Sequence, residues 1–410
     1  MKESRLPIKI LVVFTLASII LAACATAAPD PEEPVVHAQT EPASPTATES
    51  ESSSASGTQS DSQPVPTGWV VEEVVRGLEI PWSVVFPSEN RILVTERTGA
   101  VRAIENGILQ DEPLYIFDEV RGNNEAGLMS LALHPDFADN QYVYACYSSE
   151  TGNGITDRIV RLIDEGDKLT LDSVILDDIP AARFHAGCRL KFGPDGMLYA
   201  TIGDALQKAL AQNPDSLAGK ILRITPEGTV PADNPIAGSL VFSLGHRNPQ
   251  GIDWDSANNI MYSSEHGPSG FDGPGGGDEI NRIVPNGNYG WPLVSHDKTL
   301  EGTIPPLIQF TPAEAPGSLL FYDSETLPFF TDSLFFGALR GEGLVRVVVA
   351  VTGDESEVVS YEKIISDVGR VRDVAQGPDG TIYFTTSNRD GRADAREGDD
   401  KIFRIVPVFD

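Results

Sequence analysis

FHAGCRLKFGPDGMLYATIGD, Phe184–Asp204, holds the unit from which most of the chain is built. Phe192-Gly193-Pro194-Asp195-Gly196 supplies turn chemistry, because proline presets φ and glycine tolerates left-handed backbone. Met197 to Thr201 then alternates as a strand does. Outward in both directions the same pattern returns: a turn rich in Pro, Asp, Asn or Gly, a short alternating strand, a loop, then an apolar-Arg strand. The turn-and-strand segments begin at Phe86, Leu133, Phe192, Trp254, Phe330 and Gly377. The answering strands hold Val101-Arg102, Val160-Arg161, Leu222-Arg223, Asn281-Arg282, Val345-Arg346 and Phe403-Arg404. Six copies whose starts lie 47 to 76 residues apart predict an all-β, six-bladed β-propeller with the surplus in loops. Ala205 to Leu217 is the only helix-like excursion. The strand Val70 to Val75, ahead of the first copy, is expected to pair with the last blade and close the ring. Two packed sandwiches would need a central linker; Pro305-Pro306 and Thr311-Pro312 make a loop, yet repeats continue on both sides of it.

The N-terminus has a different character. Lys2, Arg5 and Lys9 precede an apolar run from Ile10 to Ala22, followed by Ala23-Cys24. Thirteen residues are too few to span a bilayer comfortably, so 1–23 reads as a bacterial lipoprotein signal peptide and Cys24 as the residue that receives lipid; an uncleaved anchor is the alternative. Ala25 to Thr67 has seven acids, no Lys or Arg and no aromatic residue. It buries too little apolar surface to fold, so 24–67 is expected to be a lipidated Cys and disordered tether. Residues 68–410 are the propeller domain, held outside the cytoplasm and reaching the membrane only through the N-terminal lipid. The net charge of −30 repels nucleic acid and suits a neutral substrate or a cation such as calcium, although solubility alone explains it as well. Beyond Cys24 there are only Cys146 and Cys188, too few for a disulfide scaffold, and their sequence separation leaves their pairing open.

Propellers carry function on loops that face the central channel, so polar residues that the repeat does not require are the candidates. Glu125 precedes a strand, where it is either a site carboxylate or part of an exposed acidic loop. His185 stands in an Ala/Gly setting and has the chemistry of a general base, with Asp204 as a structural partner. Arg247 and Asn248 lie in a polar knot between Gly245 and Gly251, where Arg247 either serves a ligand or makes an ordinary ion pair. Gly267-Pro268, Asp278-Glu279 and Tyr289 surround a glycine-rich run whose carbonyls and carboxylates suit calcium, or a plain solvated loop. Arg370 and Arg372 share a face of an extended segment, Arg340 adds to them, and guanidinium groups so close call for a polyanion between them.

Pro81-Trp82, GLMSLALHPDF from Gly127, HAGCRLKFGPDG, LAGKILRI, GHRNPQG, EHGP with GGDEIN, NYGWP and GRVRDV, in that order and spacing, resemble the soluble pyrroloquinoline quinone (PQQ) dependent sugar dehydrogenases, in their aldose sugar dehydrogenase branch. The resemblance covers Trp69 to Asp410. It implies a six-bladed propeller with non-covalent PQQ held by calcium (Ca2+) across the channel, oxidising aldoses at C1 to lactones for an electron acceptor it does not name. His185 would be the base that takes the C1 hydroxyl proton while hydride passes to the quinone. Arg247 and Asn248 would contact the cofactor near the quinone oxygens, Glu125 and Arg340 would lie on its edges, and Arg370 and Arg372 would neutralise its carboxylates. Glu279 and Tyr289 match calcium-ligand positions, and Gly267 and Pro268 the carbonyls that hold the calcium touching PQQ. The chain departs from the pattern at Glu125, usually glutamine, and at Arg340, usually lysine. It also departs in an insertion, Ser269 to Gly275, and in lacking a tyrosine after Trp291. The alternative is a cofactor-free six-bladed propeller, a sugar- or protein-binding lipoprotein. A calcium-dependent lactonase would need more carboxylates converging on one metal than this sequence offers.

Overall fold

A computed structural model describes residues 64–410 apart from 121, 123, 152 and 153. The expected signal peptide, Cys24 and all but the last residues of the tether lie outside the described residues. Within them, six antiparallel sheets follow one another around a ring. The innermost strands are Pro81–Ser88, Leu128–Leu133, Gly187–Phe192, Pro249–Asp255, Leu320–Tyr322 and Val371–Gln376, and each packs against the next. The turn-and-strand segments become the second strand of each blade, and every apolar-Arg pair falls on the third.

The alternation within these strands buries one set of side chains in each seam between blades. Six buried clusters among the described residues occupy the six seams, from Leu93, Val101 and Leu128 between blades 1 and 2 to Val75, Ile92 and Tyr383 between blades 6 and 1. Because each seam is apolar on both sides, the blades cannot separate without exposing it. Ring closure comes from both termini: Gly68–Arg76 pairs antiparallel with Lys401–Val408, Val70 opposite Val406, and forms the outer strand of blade 6. This covers an edge that would otherwise present unpaired N–H and C=O groups.

Two details differ from expectation or resolve it. The 205–217 excursion contains a 3-10 turn at Lys208–Gln212, but it is not alone, since Phe137–Asn140 and Pro328–Phe330 are also helical turns. All three sit in connections that their own proline and short polar residues keep from extending. Cys146 and Cys188, whose pairing the sequence leaves open, form a disulfide that ties blade 2 to blade 3.

The channel is blocked midway. Arg189 is buried, ion-paired to Asp373 at 3.0 Å, bonded to Gly317 O and Gln250 O, and laid over the Trp82 ring at 4.2 Å. Every innermost strand begins on one side of this plug, and every second strand ends there. The loops at that rim bring the candidate residues together.

Candidate active site

His185 lies just before the innermost strand of blade 3 with a left-handed φ of 58°, a conformation that costs energy for a residue with a Cβ. It is held there by Gly203. A Cβ on Gly203 would come within 1.9 Å of the His185 carbonyl, so only glycine permits this approach. The imidazole is buried, and its Nδ1 lies 2.7 Å from Asp204 Oδ1. Asp204 is fixed in turn by Trp291 Nε1, which donates to Oδ2 at 2.8 Å, and by the Leu206 N–H at 2.8 Å on Oδ1. A carboxylate only accepts, so in the neutral imidazole Nδ1 carries the proton and Nε2 offers its lone pair. No protein group among the described residues bonds Nε2. The arrangement is that of an oriented general base.

Glu125 is not on an exposed loop. Its Oε2 accepts the His185 N–H at 3.0 Å and an Asn248 Nδ2 hydrogen at 3.1 Å. Burial opposes its ionisation, but His266, His185 and Arg392 together hold its carboxyl below the usual range. His266 donates from Nε2 to Pro316 O at 3.0 Å; burial pushes its imidazole toward the neutral form despite Glu125 and Asp278. Glu125, His185 and Asn248 are thus one hydrogen-bonded group drawn from three loops.

Beside this group lies a cavity of about 350 Å³ lined by Arg97, Arg340, Arg370, Arg372 and Arg392, with Glu125, Asp278 and Asp390. The acids are largely committed. Asp390 accepts from Arg370 at 2.8 and 3.0 Å, and Asp278 accepts the N–H groups of Gly267 and Ala315. The anion foreseen between Arg370 and Arg372 is therefore supplied in part by Asp390, on the Arg370 side alone. Arg97 and Arg372 are buried and have no ion-pair partner among the described residues. Burial lowers the affinity of Arg372 for its proton to a pKa of about 9, and that of Arg97 in the same direction. Arg340 and Arg392 stand exposed at the rim.

Arg247 is reached by the insertion. Its Nε donates to Asp272 Oδ2 at 2.8 Å and its Nη2 to Ser269 Oγ at 3.0 Å, while Nη1 holds His266 O at 3.1 Å. It adjoins the site through these contacts and the Trp291 ring, with its fork turned to the loop.

The calcium-candidate residues fall in two places. Gly267 and Pro268 line the arginine cavity, where a Cβ on Gly267 would strike the carbonyls of Gly276 and Gly277 at 2.3 Å. Glu279 and Tyr289 line a separate small recess with Ser295 and His296. There Glu265 and Glu279 face each other across paired strands, and both accept from Asn281. Burial, then the charge of Glu265, raises Glu279 well above its ordinary value, so the pair requires a shared proton or a cation. The Tyr289 hydroxyl is occupied, donating to Arg282 O at 2.6 Å and accepting from the Val284 N–H at 2.9 Å.

The sequence model of the family described as Glucose / Sorbosone dehydrogenase matches residues 78–395, nearly the whole ring. The chain belongs to this family. The Escherichia coli aldose sugar dehydrogenase YliI is 32% identical over 346 residues, covering 78% of this chain and 91% of its own length. A Thermus thermophilus structure described as an oxidoreductase (glucose dehydrogenase) is 43% identical, with a TM-score of 0.77 over 83% of this chain and 100% of that one. The PQQ-bound form of aldose sugar dehydrogenase from Streptomyces coelicolor is 33% identical, with a TM-score of 0.71 over 84% and 99%. The chain is accordingly an enzyme, an oxidoreductase.

Sequence reasoning missed Arg97, His266, Asp390 and Arg392 as pocket residues. The signal was positional. Arg97, Asp204, His266, Arg340 and Asp390 each follow the end of a second strand, at the rim where innermost strands begin.

Proposed function

We propose that this dehydrogenase oxidises aldoses at C1 to lactones, with PQQ as its bound redox group and His185 as general base. The observation that carries the reading is the pair of buried guanidinium groups, Arg97 and Arg372, without carboxylate partners beside an oriented imidazole. Arg372 donates to Gln250 Oε1, and the charges of Asp390 and Glu125 reach both groups, but buried cations without a direct ion pair still favour an anionic ligand. PQQ is a flat tricarboxylate, and the residues present fit it: Arg97 and Arg372 in the interior and Arg340 and Arg392 at the rim would hold its carboxylates, while Arg370 shares its charge with Asp390. When bound, this group supplies a quinone that accepts two electrons as hydride. His185 Nε2 takes the proton from the sugar's C1 hydroxyl, and Asp204 stabilises the imidazolium that results. Asn248 and Glu125 fix the backbone and edge of the His185 loop. Arg247, its charge paired with Asp272, acts from behind the insertion by holding it in place.

A calcium ion is part of the same reading. Glu279 with Glu265 would offer one oxygen site and the Gly267 and Pro268 carbonyls another; Tyr289, its hydroxyl being occupied, would have only its carbonyl to offer. Extracytoplasmic placement, with Cys24 lipidated and residues 24–67 as tether, agrees with a disulfide between Cys146 and Cys188, since such bonds persist in oxidising compartments. The electron acceptor is a separate molecule.

The test is dye-linked oxidation of glucose by apoprotein supplied with PQQ and Ca2+. Turnover with lactone release is expected, and Asp204→Asn should lower kcat by roughly 10²-fold or more while the protein still takes up PQQ. Loaded wild-type protein that oxidises no aldose would refute the assignment.

A further inference from the structure

The insertion Ser269 to Gly275 lies between the second and third strands of blade 4, Ile260–Glu265 and Asp278–Ile283. It is not a loose loop. Asp272 and Ser269 both bind the Arg247 fork, the Ser269 N–H donates to Asp272 Oδ1 at 2.9 Å, and the Gly276 N–H closes the base on Pro268 O at 3.2 Å. Burial works against the Asp272 carboxylate, but Arg247 outweighs it and holds the group ionised. These anchors present Phe271 over His185, with ring centroids 6.1 Å apart and planes 27° from parallel. Phe271 is 71% exposed, the most exposed aromatic side chain among the described residues. A phenyl ring held in solvent by a buried ion pair, directly beside a base whose Nε2 is open, is placed to be covered by a ligand.

We propose that Phe271 is a specificity-determining residue, the apolar wall against which the sugar ring packs while its anomeric hydroxyl meets His185. This rests on the aldose oxidation proposed above. A pyranose with equatorial hydroxyls presents a face of C–H bonds, and an aromatic face is electron-rich and complementary to it. Hydroxyls turned axial toward the ring would displace that contact, so Phe271 favours sugars by the apolarity of one face. The Asp272–Arg247 ion pair sets the height of the wall, which gives Arg247 a positioning role that its sequence context did not suggest.

The experiment compares wild type, Phe271→Ala, Phe271→Trp and Asp272→Asn, each loaded with PQQ and Ca2+. Cofactor uptake is read by absorbance. Binding of 1-deoxyglucose, which lacks the reacting hydroxyl, is read by calorimetry. Phe271→Ala should take up PQQ as wild type does, weaken 1-deoxyglucose binding and raise the glucose KM by roughly fivefold to tenfold, and leave kcat within about twofold. Phe271→Trp should keep binding close to that of wild type, and Asp272→Asn should weaken it by less than Phe271→Ala. Wild type that loads and turns over, with Phe271→Ala binding 1-deoxyglucose as tightly, overturns this inference alone. Wild type that takes up no PQQ overturns the functional reading and this inference with it.

Discussion

His185 is constrained from three directions: Gly203 sets its backbone, Glu125 its N–H and Asp204 its ring. The histidine and its aspartate were readable in sequence because they bracket one hairpin. Glu125 and Asn248 were readable as candidates, but their convergence was not, since they come from blades 2 and 4 and meet only when the ring closes. Arg97 and Asp390 were hidden for a related reason: each sits in an ordinary-looking loop after a strand, and only the repeat register brings those loops to one rim. A second buried acid shows how a residue outside the site can govern the pH response. Asp157 touches the Cys146–Cys188 bridge region and accepts from Ser148 Oγ, with its Oδ2 left unpartnered. Burial raises its folded-state pKa from 3.8 to about 8. Below the ordinary value both folded and unfolded chains hold it protonated, and its contribution to stability is complete. As pH rises toward 8 the unfolded chain ionises first and that contribution is lost, by at most about 1.4 kcal/mol per pH unit. Asp157→Asn should flatten the fall of stability between about pH 5 and pH 8, read from denaturant midpoints. An unaltered slope would remove Asp157 from the account.

At the scale of elements, second and third strands were the legible ones. Their turn residues and recurring arginines follow from local rules, as in Gly193-Pro194-Asp195-Gly196 and Leu222-Arg223. Innermost strands were harder to delimit. Leu320–Tyr322 is only three residues long, and Pro249–Asp255 is buried throughout, so neither alternates. The closing strand was foreseen from its position alone, and its pairing with Lys401–Val408 gives that position a measurable consequence. Deleting Trp69 to Val75 removes the ladder to residues 402–407 and takes Trp69 and Val75 out of the seams of blade 6, exposing what they cover. Loss of several kcal/mol of stability, with aggregation through the bare edge, is expected in thermal and denaturant unfolding. Unchanged unfolding would show that the ring closes without its N-terminal strand. The disulfide between blades 2 and 3 could not be read from spacing, because 42 residues of intervening chain say nothing about where two strands meet.

The whole molecule sets a cationic pocket inside an anionic protein. Its net charge of −30 opposes polyanions at long range, while Arg97, Arg370 and Arg372 attract one at short range from within low-dielectric walls. On the function proposed above, that contrast favours a small anion that can fit about 350 Å³. The family to which the ring belongs accounts for its architecture. The decisive measurement is a titration of purified protein with PQQ in the presence of Ca2+, followed by the absorbance of the quinone. Saturable single-site uptake at micromolar concentration is expected, weakened at least tenfold in Arg372→Met, which removes a buried charge partner of the ligand. A quinone spectrum left unchanged by the wild-type protein, or uptake indifferent to Arg372, would contradict it.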